Sequence, residues 1–135
     1  MGELDALVRS VRSACVATLC AVTAAVCFRP PSADAHAFPV AEQPAVGSTV
    51  TAPPTEVAIT FDNPIEALFA TLAVVDGSGH EQADGPPTAG PDHRRLSVRL
   101  KRLMPGEYSV KWSVVAVDGH HTEGSYTFSV AGGER

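Results

Sequence analysis

The sequence predicts an all-β fold, a small β-sandwich or barrel. Three observations predict it. Several short runs alternate apolar and polar residues, Pro and Gly punctuate them, and nothing after residue 36 holds a 3.6-residue period. Eleven Pro and eleven Gly in 135 residues favour turns over long helices. The net charge of −5 argues against nucleic acid, whose partners cluster Lys and Arg.

Residues 55–61 alternate, with Val57, Ile59 and Phe61 on one face. Pro53-Pro54 and Asn63-Pro64 bracket them. Residues 68–75 form a second apolar run, closed by the turn cluster Asp76-Gly77-Ser78-Gly79. Residues 65–70 have room for one helical turn at most. Residues 96–100, 108–114 and 125–130 alternate again, the last with Tyr126, Phe128 and Val130 inward. Residues 81–93, rich in Gly, Pro and Asp, read as a mobile loop. Leu103-Met104-Pro105-Gly106-Glu107-Tyr108 has the pattern of a tyrosine corner, a hydroxyl tied back to the preceding loop. Trp112 is then the expected central core aromatic, and Met104 a packing residue.

The first 35 residues read differently. Residues 14–28 carry no charge and hold all three cysteines, Cys15, Cys20 and Cys27. Fifteen residues are short of the roughly 20 that a spanning helix needs, but they suit a signal-peptide core. Arg9 and Arg12 precede the run, and Glu3 and Asp5 dilute their charge. Pro30, Pro31 and Ala33-Asp34-Ala35 follow, the last a small-x-small cleavage pattern. The expectation is a Sec-type signal peptide, 1–35, cut before His36, and a domain, 36–135. That domain keeps 7 basic and 12 acidic residues, all five His and no Cys. It should be exported, periplasmic and soluble, with a modest core.

The cut would make His36 the first residue. An N-terminal His offers its α-amine and ring Nδ1 to one metal as a chelate. The second constellation is Asp118-Gly119-His120-His121, between two alternating runs. In extended chain a D-x-H triplet sets both side chains on one side. Amine, two imidazoles and a carboxylate form an N3O set, and tetragonal N/O coordination suits Cu(II). Thiolates are missing and Met104 is the single thioether after residue 36, so a soft Cu(I) site is not expected. His121 should face away from His120, while His80 and His93 lie in polar loop sequence.

These pieces, in this order, resemble the CopC family of periplasmic copper-binding and copper-resistance proteins. The resemblance runs through His36, Pro44-Ala45-Val46-Gly47-Ser48 and Pro54-Thr55-Glu56-Val57 into Phe61. It continues through residues 103–112, then Val114-Val115-Ala116-Val117-Asp118-Gly119-His120 and residues 124–130. It implies a small Greek-key, immunoglobulin-like β-sandwich or barrel that binds one Cu(II), with His36, Asp118 and His120 as ligands. It also implies copper sequestration, delivery or import, as a monomer, with a CopD-like inner-membrane partner. Two departures stand out. His121 occupies a position where the family often has Pro, and the Met-rich Cu(I) site of some members is missing.

Two other readings compete. Lytic polysaccharide monooxygenases also hold copper with an N-terminal His and a second His. About 100 residues leave little room for their broad substrate surface, and Asp118 would crowd the oxygen site. A metal-free interaction module is the third, since the sandwich hosts many roles. The sequence favours metal binding over catalysis.

Overall fold

The computed structural model describes residues 36–132. The expected leader, with its three cysteines, lies outside them. Eight strands form two four-stranded sheets: β1 (Pro39–Gln43), β2 (Thr49–Val50), β3 (Glu56–Phe61), β4 (Thr71–Asp76), β5 (Thr88–Ala89), β6 (Arg95–Arg99), β7 (Gly106–Val115) and β8 (His121–Val130). One sheet has the order β1-β3-β6-β5, the other β2-β8-β7-β4. The chain crosses repeatedly between sheets, as Greek-key connections do. All pairings are antiparallel except β2 with β8.

The alternating residues meet between the sheets. Val57, Ile59 and Phe61 of β3 and Leu96 and Val98 of β6 face Leu72, Val74, Val110, Val114, Phe128 and Val130. All are buried. Burying a side chain such as Phe61 or Phe128 contributes about 1.5–3 kcal/mol relative to exposure. The tyrosine corner forms as expected: the Tyr108 hydroxyl donates to the Met104 carbonyl at 2.6 Å.

Four expectations need correction. The run from residue 68 does not begin as a strand. Ala67–Phe69 is a single 3-10 turn that buries nothing, and Leu68 stays 92% exposed. Residues 81–93 are held rather than loose. Glu81 bridges Val75, Ala83 bridges Leu100, and β5 pairs with β6. Trp112 is only partly buried, at the margin of the core, edge-on to Phe61 with ring centroids 5.4 Å apart. Met104 is exposed, not packed.

The β7–β8 hairpin positions everything that follows. Its ten paired positions run from Gly106↔Val130 to Val115↔His121. At about 3.4 Å per residue the two ends lie roughly 30 Å apart. Met104 and the corner sit beyond one end, and the Asp118–His120 turn caps the other.

Candidate metal centre

Between β7 and β8 the chain reverses over Ala116–His120. Ala116 N–H donates to the His120 carbonyl at 2.8 Å, and Gly119 N–H to the Ala116 carbonyl at 2.8 Å. Gly119 has φ of 88°, a conformation that a side chain at this position would strain. Asp118 completes the turn from its side chain. Oδ1 accepts the His120 backbone N–H at 3.0 Å, and Oδ2 lies 2.8 Å from His120 Nδ1. With Oδ2 accepting from Nδ1–H, the His120 tautomer leaves Nε2 as the lone-pair nitrogen.

The other half of the site arrives from the opposite sheet. Residues 36–38 lead into β1, the edge strand beside β3. Ala37 is fully buried in the core, which ties down the residue next to His36. The Asn63 amide donates to the His36 carbonyl at 2.8 Å, and the Thr122 hydroxyl donates to the Ala37 carbonyl at 2.8 Å. Asp62 Oδ1 accepts the Phe38 N–H at 2.8 Å, and Asp62 N–H donates to the Phe38 carbonyl at 2.9 Å. The His36 ring thereby comes to lie over His120, with centroids 4.2 Å apart and a 39° tilt, and Phe38 stacks 5.8 Å behind it.

His36, Asp118 and His120 therefore converge at one end of the sandwich. The Asp118 carboxyl is held below the usual carboxylate range. The His120 backbone N–H is the main cause, partial desolvation opposes it, and the His120 ring and the charges of His120 and His36 add to it. A carboxylate and two imidazoles are groups that suit a borderline divalent cation, but among the described residues no three such side chains are already disposed to hold one. No thiolate lies among the described residues, and the single thioether, Met104, belongs to the far end of the hairpin.

The remaining histidines lie elsewhere. His121 takes the opposite face, as strand alternation requires, with Nε2 2.7 Å from Ser113 Oγ. His80 closes the turn after β4, where Asp76 caps its backbone N–H at 3.0 Å. His93, with φ of 55°, sits exposed before β6 and accepts the Ile65 N–H at its carbonyl. Asn63 and Thr122 carried no sequence signal: Asn63 reads as strand punctuation, and Thr122 falls between the Asp118–His121 cluster and the alternating run 125–130.

Residues 39–131 match the CopC domain. The chain belongs to the CopC family. Protein YobA of Escherichia coli K12 is 40% identical over 103 residues, covering 74% of this chain and 82% of YobA. The copper transport protein CutJ of Bacillus subtilis 168 is 30% identical over 105 residues, 76% of this chain but 19% of CutJ. The crystal structure of CopC from Methylosinus trichosporium OB3b superposes with a TM-score of 0.69 at 29% identity, over 74% of this chain and 98% of that one. PcoC, a methionine-rich copper resistance protein from Escherichia coli, gives 0.63 at 25% identity, over 71% and 99%. The fold of this CopC-family chain is thus the one its strand pattern predicted.

Proposed function

We propose that the protein is an exported, periplasmic Cu(II)-binding protein that holds one copper ion for sequestration or delivery. The observation that carries this reading is the convergence of the His36 and His120 rings, 4.2 Å apart, beside Asp118. Signal-peptide removal before His36 adds the α-amine, which closes a chelate ring with the His36 imidazole. Amine, two imidazoles and carboxylate then complete the N3O set. The membership in a family with a copper transport protein and a copper resistance protein supports copper as the cargo.

The protein's own groups do three things. The pinned 36–38 segment presents His36. The β7–β8 turn presents His120 and Asp118 side by side, and ligation of one ion by both would replace the Nδ1–carboxylate hydrogen bond of the free protein. Asp118 offsets cationic charge and stands next to the second imidazole as the oxygen donor. The role is binding rather than catalysis.

Cu(II) titration of protein with its authentic N-terminus, followed by electron paramagnetic resonance, tests the reading. One equivalent should bind with a nitrogen-rich tetragonal signal. One residue added before His36, or His120→Ala, should weaken binding by at least tenfold, while His93→Ala should leave it unchanged. Equal binding by the extended and native proteins would remove the N-terminal chelate.

A further inference from the structure

Residues 36–38 are held by groups that the metal itself does not need. The Asn63 amide fixes the His36 carbonyl, and the Thr122 hydroxyl fixes the Ala37 carbonyl. The two come from different sheets: Asn63 follows β3 and Thr122 lies in β8. Ala37 between them is fully buried. A chain end is ordinarily among the most mobile parts of a domain. Here both carbonyls that flank the first peptide unit after His36 are hydrogen-bonded by side chains.

Thr122 in β8 sits two residues after His120 of the preceding turn, so one short stretch of chain carries both a proposed ligand and the clamp on the other ligand's segment. Opening the clamp would therefore separate the two imidazoles. Without it, His36 would have to be ordered when the ion binds, and that lost backbone freedom would weaken binding.

We infer that Asn63 and Thr122 are positioning residues for Cu(II): they pre-order the N-terminal ligand by clamping its segment to both sheets. The inference rests on the Cu(II) reading above. Neither side chain touches the ion. Both bonds fix backbone carbonyls, so their contribution lies in ordering the segment in the free protein.

The test compares wild type, Thr122→Val, Thr122→Ser and Asn63→Ala, all with authentic N-termini. Thr122→Val keeps the shape and removes the hydroxyl, and Thr122→Ser restores it. Each loss of a clamp bond should raise the Cu(II) Kd roughly three- to tenfold, and Thr122→Ser should return it close to wild type. In metal-free protein the amides of residues 37 and 38 should exchange faster in Thr122→Val and Asn63→Ala, while amides of β7 keep their protection. The β7 amides also show that each variant is folded.

Unchanged Cu(II) Kd in both Thr122→Val and Asn63→Ala, with wild type binding normally, would overturn the positioning role. So would weaker binding accompanied by equal loss of protection in β7, which marks general destabilisation. Failure of wild type to bind Cu(II) would instead overturn the underlying Cu(II) reading, and the positioning role with it.

Discussion

Two buried tyrosines end in opposite states. The Tyr108 hydroxyl donates to the Met104 carbonyl, whereas the Tyr126 hydroxyl is buried with no hydrogen-bond partner. Burial, and then the charge of Glu42, push the Tyr126 hydroxyl above its ordinary pKa. An unpaired buried hydroxyl is a cost that Phe would not carry. Tyr126→Phe should therefore leave stability unchanged or slightly raised, and Tyr108→Phe should lower it by about 1 kcal/mol. Urea denaturation of the two variants reads the difference. Asp118 gives a second prediction. Its pKa is lowered in the folded protein, so its stabilisation is fully present above the ordinary carboxylate value. That stabilisation is lost as pH falls through the folded value. Carboxyl NMR titration of metal-free protein should place Asp118 below the ordinary carboxylate value, and Asp118→Asn should weaken this acid dependence.

At the scale of elements, β7 and β8 meet at one position where only glycine fits. Gly124 pairs with Trp112, and a Cβ at Gly124 would lie 2.7 Å from the indole Cζ2. The indole is rigid, so either it or the strand must move. Gly124→Ala should cost about 1–3 kcal/mol and shift the emission of the chain's single tryptophan, both measurable in one fluorescence-monitored unfolding experiment. The long elements were legible beforehand for a plain reason. β3, β6, β7 and β8 each bury one face, so burial wrote the alternation into the sequence. β2 and β5 have two residues each, too few to show a period. Leu68 and Phe69 fell both in the apolar run and in the stretch with room for one helical turn, and the structure gives them the turn. The proposed ligands could be named from sequence because Asp118 and His120 are near neighbours and His36 follows a cleavage pattern. The clamp was not, because Asn63 and Thr122 act on backbone carbonyls, which every residue has.

For the whole molecule, the proposed N-terminal chelate makes two predictions, one on processing and one on protonation. Intact mass spectrometry of the exported protein should show a chain beginning at His36 that gains one copper in the presence of Cu(II). A mass that retains any residue before His36 would contradict the chelate. Affinity should also follow pH. The α-amine ordinarily titrates near 7.7–8.0 and imidazole near 6.5, and both must be unprotonated to bind. The Cu(II) Kd should therefore rise steadily as pH is lowered from about 8 to 6, in competition titrations at fixed ionic strength.

The sheet margins differ in length and cover. β5 and β2 offer only two residues apiece to an incoming strand, the outer edge of β4 is already bonded by residues 80–82, and β1 offers five. Unpaired strand margins are templates for self-association. The β1 margin is continuous with residues 36–38, so a neighbour adding to it would crowd the entrance to the two imidazoles. On the proposed Cu(II) reading, copper loading and strand addition along β1 would compete for the same stretch of backbone.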